Sequence, residues 1–204
     1  MKEITYDKNR VINFSDAVFS IVMTLLILEV AVPSASAIST TKFTTLLSNR
    51  IPDFIGLIVS FLVSALYWIG HIRLMKYVSV VKGKLLWLNI FFLLAIVILP
   101  FSTAMYVNGF NHTGPFVFYC INLAVIGFFN LWMLRHVYYQ EKQKTGFTRL
   151  YYRWYRARGL NVMVIWIVAS LIASMLPLGS RLIFLLLFVF QFFIDRRFKK
   201  KIKG

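Results

Sequence analysis

Six long apolar stretches divide this chain, and they constrain its fold more than any other feature of the sequence. A membrane-crossing helix needs roughly 20 mostly apolar residues. Stretches of this kind lie at about residues 11–32, 52–71, 85–105, 115–134, 160–178 and 182–194. The last one is short, but Arg181 and Arg196 at its two ends can reach outward to the membrane interface. The pattern predicts an all-α polytopic membrane protein, with six transmembrane helices in a single domain over residues 1–204.

Composition supports this class and excludes others. Hydrophobic residues make up 59% of the chain and charged residues only 15%, whereas soluble domains average about 25% charged residues. A disordered chain would be poor in aromatic and branched apolar residues. The single cysteine, Cys120, excludes a disulfide scaffold.

The positive charges predict the orientation in the membrane. Of the 23 Lys and Arg residues, all but Lys42, Arg50 and Arg181 lie in the two termini or in the connections after the second and fourth stretches. The positive-inside rule therefore places both termini in the cytoplasm, which requires an even number of spans. A cleaved signal peptide is the alternative for the N-terminus, but Asn13 and Asp16 interrupt its apolar segment, so we expect the first helix to be retained.

Catalytic signatures are absent from the sequence. It contains no HExxH, GxSxG or Walker motif, and its three histidines lack metal-ligand spacing. We therefore expect neither an enzyme nor a cofactor nor a fixed metal ion. The basic, aromatic connection over residues 135–159 predicts contact with anionic lipids rather than nucleic acid, because membrane helices flank it on both sides.

The first stretch carries the densest set of polar groups inside a span, where such groups are costly. At helical spacing, Asn13, Asp16, Ser20 and Thr24 form a polar stripe. A stripe of large side chains lies beside it and consists of Arg10, Phe14, Ile21, Leu25 and Leu28. His71 and Asn89 lie at the same membrane level as Asp16. We expect Asp16 to pair with Arg10 or to bond to His71 or Asn89. Such a cluster either locks the first three helices together or contacts permeating ions.

Several of these residues match a known motif. Arg10, Phe14, Ser15 and Asp16 form the pattern RxxxFSD, which resembles the signature of the transmembrane-protein-175 (TMEM175) potassium channels. The sequence is similar to that family at further positions in the first three spans, namely Ala17–Ile21, Thr24–Leu26, Trp68, His71, Trp87, Asn89, Pro100 and Phe101. The resemblance implies a single-repeat prokaryotic member.

The resemblance also implies a function. It points to a potassium-selective cation leak channel in a prokaryotic plasma membrane, formed by a homotetramer around a central pore lined by the first helix. Its constriction would consist of Ile21, Leu25 and Leu28, with hydroxyls from Thr24, while the signature residues support the inner half of the helix. Glu29 would then lie at the outer mouth.

Other interpretations stay open at this point. The apolar stripe alone does not distinguish pore residues from packing or lipid-facing residues. A proton-coupled secondary transporter using Asp16 and His71 is the alternative function, and a membrane scaffold without flux is a third. Transporters commonly have helices broken at mid-membrane, whereas we expect Pro100 and Pro177 to lie towards helix ends.

Overall fold

A computed structural model of the protein describes residues 4–30, 32–141 and 146–203. The chain is almost entirely helical, with ten α-helices and one 3₁₀ turn in these ranges. They are α1 (Lys8–Leu25), the 3₁₀ turn Leu26–Glu29, α2 (Ala35–Thr40), α3 (Phe43–Ser48), α4 (Ile51–Met75), α5 (Gly83–Val97), α6 (Leu99–Asn108), α7 (Thr113–Glu141), α8 (Arg149–Ile172), α9 (Pro177–Leu182) and α10 (Phe184–Lys203).

Five helical segments in the described ranges are long and apolar enough to cross a membrane. They are Lys8–Glu29, Ile51–Met75, Gly83–Asn108, Thr113–Glu141 and Arg149–Ile172. Helix α10 is not one of them, because its second half is the charged segment from Asp195 onward. The all-helical membrane architecture is thus supported, while the sixth span and the cytoplasmic termini stay predictions.

The helices α7 and α8 extend well beyond their apolar cores, and here the sequence-based boundaries were wrong. Helix α7 continues to Glu141 and α8 begins at Arg149, so the connection expected over residues 135–159 is short and mostly replaced by helix. Thr148 starts α8 by accepting a hydrogen bond from the Tyr151 amide, the usual action of an N-cap residue. Hydropathy did not detect these extensions because their residues are basic and aromatic.

Pro100 lies in the first turn of α6, as expected of a proline towards a helix end, and it marks a break within the third span. Proline has no amide hydrogen, so it cannot complete the hydrogen bond to the carbonyl four residues earlier. Helix α5 accordingly ends at Val97 and α6 begins at Leu99. The hydroxyls of Ser102 and Thr103 both donate to the Leu99 carbonyl, at 2.9 and 2.8 Å.

A small antiparallel ribbon ties the start of the chain to the connection after α4. Strand β1 (Thr5–Tyr6) pairs with β2 (Val81–Lys82), with Thr5 opposite Lys82 and Tyr6 opposite Val81. The Asp7 carboxylate then accepts from the Asn9 and Arg10 amides and begins α1. The ribbon therefore fixes α1 at the end where α4 finishes and α5 starts.

The small residues of α4 allow the half-helix α6 to pack closely. Gly56, Ser60 and Ser64 are buried along one face of α4, as expected from their spacing. The Ser60 hydroxyl lies 2.9 Å from the Thr103 hydroxyl and 3.0 Å from the Tyr119 hydroxyl of α7, within hydrogen-bond distance of both. A polar bridge thus joins α4, α6 and α7 next to the break at Pro100.

We predict that Gly56→Ala destabilises the protein by about 1–3 kcal/mol, because overpacking forces neighbouring side chains to move. A Cβ at this position would overlap the Val107 side chain. Thermal unfolding in detergent measures the loss, and the double variant Gly56→Ala with Val107→Ala should recover part of it. Gly114→Ala is the control, since a Cβ there meets no atom within 4 Å. An equal loss in the control would contradict the packing argument.

Candidate pore helix and its polar anchor

Helix α1 and its 3₁₀ extension have two distinct faces. One face is buried within the chain and consists of Val11, Ser15, Phe19, Val22 and Leu26. The opposite face is uncovered by any other part of the described chain; it presents Arg10, Asn13, Phe14, Ala17, Ser20, Ile21, Thr24, Leu25 and Leu28. Both stripes predicted from the sequence lie largely on this uncovered face. Four large apolar side chains on this face are exposed: Phe14 by 59%, Ile21 by 58%, Leu25 by 41% and Leu28 by 73%.

A chain of buried hydrogen bonds anchors the covered face of α1. His71 on α4 donates from Nε2 to Oδ1 of Asn89 on α5 at 2.9 Å. The Asn89 amide nitrogen donates to Oγ of Ser15 at 2.9 Å, and Ser15 donates to the Val11 carbonyl at 2.8 Å. All three side chains are at most 1% exposed. The structure therefore brings together His71 and Asn89, which the sequence placed at one membrane level, and it joins them to Ser15 instead of Asp16.

The direction of these bonds fixes the tautomer of His71. Because the Asn89 amide nitrogen faces Ser15, its oxygen faces the histidine, so Nε2 must carry the proton. The His71 ring also lies parallel to Phe92, with centroids 5.9 Å apart and planes 6° apart, and Phe19 packs beside both rings. Aromatic packing thus holds the imidazole in the orientation that the hydrogen bonds require.

Asp16 has a different partner from those the sequence suggested. Its Oδ1 accepts from the indole nitrogen of Trp68 at 2.8 Å. Within the described residues, Arg10, His71 and Asn89 are not its hydrogen-bond or salt-bridge partners, and Arg10 is exposed. The pairing expected with Arg10 was wrong because the two residues lie on different sides of α1. Trp68 precedes His71 by about one turn of α4, and that spacing was the signal that could have identified it.

The remaining predicted residues fall at the two ends of the uncovered face. Arg10 and Phe14 lie near the ribbon, and Leu28 and the half-buried Glu29 lie in the 3₁₀ turn at the other end. Among the described residues, no polar group forms a hydrogen bond or a salt bridge with Glu29 in this turn. The face therefore runs the length of the span, with charge at its ends and with apolar and hydroxyl groups between.

Hydroxyl groups on this face present oxygen lone pairs. Ser20 donates to the Asp16 carbonyl at 2.8 Å, and Thr24 donates to the Ile21 carbonyl at 2.8 Å. Since each hydroxyl hydrogen is used within the helix, the outward side of the oxygen is an acceptor. This arrangement suits a cation and does not suit an anion.

The same segment of the chain matches a known family. Residues 10–100, which include α1, the anchor and the Pro100 break, match the family model described as "Endosomal/lysosomal potassium channel TMEM175". The matched residues make up a little under half of the chain, which is similar to the TMEM175 family over this segment.

Relatives from bacteria extend this finding. The chain is 36% identical over 99 residues to a protein of Streptomyces collinus that is named as a potassium channel. This alignment covers 48% of this chain and 47% of that protein. It is 30% identical over 118 residues to a Chryseobacterium protein of the same description, covering 58% of each. The matched part is thus about half of the length of these relatives.

A solved structure shares the fold of this chain. The crystal structure of a lysosomal potassium-selective channel TMEM175 homologue from Chamaesiphon minutus superposes with a TM-score of 0.74. The alignment covers 92% of this chain and 98% of that chain at 22% identity. The relatives are ion channels, which agrees with the prediction of a protein that is neither an enzyme nor dependent on a cofactor. Their names do not favour a proton-coupled transporter.

We predict that Asn89→Ala destabilises the protein by about 2–4 kcal/mol, because it leaves His71 and Ser15 buried without their shared partner. Thermal unfolding in detergent measures the change. Asn111→Ala is the matched control, since Asn111 is exposed in the turn between α6 and α7. Equal melting temperatures for the two variants would show that the anchor does not stabilise the helix assembly.

Proposed function

We propose that the protein is a potassium-selective cation leak channel in a prokaryotic plasma membrane. In this proposal, four copies surround a central pore, and each copy contributes the uncovered face of α1. The naming of bacterial relatives as potassium channels supports the activity. The observation that carries the pore assignment is the chemistry of that face.

The uncovered face of α1 differs from the outer face of α4. The exposed positions along α4 are apolar throughout its middle; they include Ile55, Ile58, Leu62, Leu66 and Ile69. Such a surface suits acyl chains. On α1, by contrast, Asn13, Ser20 and Thr24 are exposed among the apolar residues. Exposed polar side chains at membrane depth belong on a water-filled cavity, and a shared axis between copies provides one.

The constriction in this proposal consists of rings of Ile21, Leu25 and Leu28. A ring of apolar side chains conducts when a partly hydrated ion fits through it, and it loses its water when it is narrower. Apolar rings offer no oxygen ligands, so a passing ion must give up part of its hydration shell. Potassium holds its water less tightly than sodium does, so selectivity for potassium follows from the size of these side chains.

Thr24 lies between these rings and offsets part of the dehydration cost. Its hydroxyl hydrogen is bonded to the Ile21 carbonyl, so four copies would direct oxygen lone pairs towards the axis. The ring of Thr24 oxygens thus replaces some of the water that the apolar rings remove.

Glu29 occupies the outer mouth in this arrangement, one residue beyond Leu28. Four carboxylates there would raise the local cation concentration. The inner half of the helix is supported by the signature and anchor residues, namely Arg10, Phe14, Ser15, Asp16, His71 and Asn89. The bonds from Trp68 of α4 to Asp16 and from Asn89 of α5 to Ser15 set the rotation of α1 and keep Ile21 and Leu25 towards the axis. In this proposal the site has no permanently bound metal ion, and potassium is the ion that permeates.

We predict that Ile21→Ala and Leu25→Ala widen the constriction. Each variant should raise single-channel conductance or lower the preference for potassium over sodium, because a wider ring lets more hydrated ions pass. The measurement is flux and current in liposomes under a potassium gradient. Ile58→Ala is the matched control, since Ile58 is equally apolar and exposed but lies on α4. Unchanged currents in both pore variants would contradict the assignment.

The oligomeric arrangement has a separate test. In a Cys120→Ala background, we predict that Leu28→Cys forms covalent dimers on mild oxidation in membranes, because copies of Leu28 meet near the axis. Cys120 is fully buried, so its removal does not alter the exposed surface. Ile58→Cys is expected to stay monomeric under the same conditions. Cross-linking at Ile58 but not at Leu28 would place α4, and not α1, at the axis.

A further inference from the structure

The four arginines of the first half of α8 fall into two groups. Arg158 donates to the Asp195 carboxylate of α10 at 2.6 Å, and Trp154 donates to the same carboxylate at 2.9 Å. Arg149, Arg153 and Arg156 are exposed. The first group holds α8 and α10 together, and the second has no such structural function.

No carboxylate among the described residues pairs with these three arginines. The chain has seven Asp and Glu residues, and only Glu3 lies outside the described ranges. Three of the others belong to α1 and its ends: Asp7 caps the helix, Asp16 accepts from Trp68, and Glu29 lies at the far end. The remaining three have partners on other helices or connections. Asp53 accepts from Arg50, Glu141 from Ser79 and Asp195 from Arg158. None of these six pairs with Arg149, Arg153 or Arg156.

The three unpaired arginines surround a cavity with three tyrosines. The cavity measures about 600 Å³ and is lined by Tyr138 and Tyr139 of α7 and by Arg149, Tyr152, Arg153 and Arg156 of α8. Tyr138 and Tyr152 stack at 4.1 Å, and the Arg156 guanidinium lies 5.8 Å from the Tyr152 ring centre. Guanidinium groups and phenol hydroxyls are all hydrogen-bond donors, so the cavity suits a phosphate.

A second cavity shares Arg153 and Arg156 with the first and has a more apolar lining. It measures about 250 Å³. Leu150, Ala157, Leu160 and Phe198 line it, together with Arg197. Arg153 and Arg156 therefore border both a tyrosine-lined cavity and a more apolar one.

The depth of the two cavities matches the membrane interface. The apolar part of α8 begins at Leu160. With a rise of 1.5 Å per residue, Arg156 and Arg153 lie about 6 and 10 Å before Leu160 along the helix axis, on the side away from the apolar part. The headgroup layer of a bilayer extends roughly 5–8 Å beyond the hydrocarbon core on each side. Both arginines thus lie at or next to the level of lipid phosphates.

We propose that Arg153 and Arg156 bind the phosphate of an anionic phospholipid. The tyrosine-lined cavity holds the headgroup with Arg149, and the apolar cavity receives the glycerol and the first part of an acyl chain. The apolar lining favours a lipid over a soluble phosphate, because a free phosphate has no group to fill it.

Native mass spectrometry of the detergent-purified protein with added phosphatidylglycerol tests this site. The variant combines Arg153→Gln and Arg156→Gln, and the control combines Lys76→Gln and Lys84→Gln, two exposed cations outside both cavities. We expect binding about 30-fold weaker in the variant, since each basic residue near the surface contributes roughly five-fold. The control should bind phosphatidylglycerol like the unchanged protein. Phosphatidylcholine should be retained poorly by all three.

Two results would overturn the site. Equal losses in the variant and the control would show that only the total charge attracts lipid. Displacement of phosphatidylglycerol by millimolar glycerol phosphate would show that the cavity takes a soluble phosphate. The experiment measures binding and not flux, so either result leaves the channel proposal to its own tests.

Discussion

The hydrogen-bond chain from His71 through Asn89 and Ser15 to the Val11 carbonyl fixes the rotation of the first helix. Inside a membrane no water replaces a lost partner, so these buried polar groups hold α1 in one orientation. Turning α1 by one residue would bury Asp16 or Asn13 against apolar neighbours and expose Ser15. The covered and uncovered faces follow directly from this constraint. So does the pore proposal, because it depends on which face of α1 is left without a partner.

Much of the architecture was predictable, because hydropathy depends only on the order of residues along the chain. It located the spans that the structure supports and placed His71 and Asn89 at the membrane level of Asp16. It could not show that Asp16 faces Trp68 instead of Arg10, because that depends on how α1 and α4 are rotated. It also missed the basic ends of α7 and α8, where helix forms without an apolar signal. It placed Pro100 towards a helix end within one span, as the structure does, but it did not show that this span is divided into α5 and α6.

Polar groups in this membrane domain are satisfied in two different ways. Between α4, α6 and α7 they bond to one another, as Ser60, Thr103 and Tyr119 do, and they hold the half-helix α6 in place. On the uncovered face of α1, the hydroxyls of Ser20 and Thr24 donate to their own helix and leave acceptor oxygens pointing outward. In the first arrangement the polar groups bind one another, so no ligand can reach them. In the second, a hydroxyl oxygen stays available as an acceptor. This difference distinguishes residues that pack the helices from residues that can contact an ion.

The net charge of +16 is compatible with a cation channel only if most of it is kept away from the ion pathway. The structure shows one way, since Asp195 neutralises Arg158 between α8 and α10. The proposed lipid site supplies another, because lipid phosphates beside Arg153 and Arg156 cancel charge at the perimeter of the molecule. Salt screens the charges that face the electrolyte, because at physiological salt the Debye length is about 8 Å. The repulsion of potassium by solvent-exposed basic residues of α8 therefore falls off within about that distance. In the proposed pore, Arg10 and Glu29, at the two ends of the uncovered face of α1, would be the charges that a permeating ion encounters.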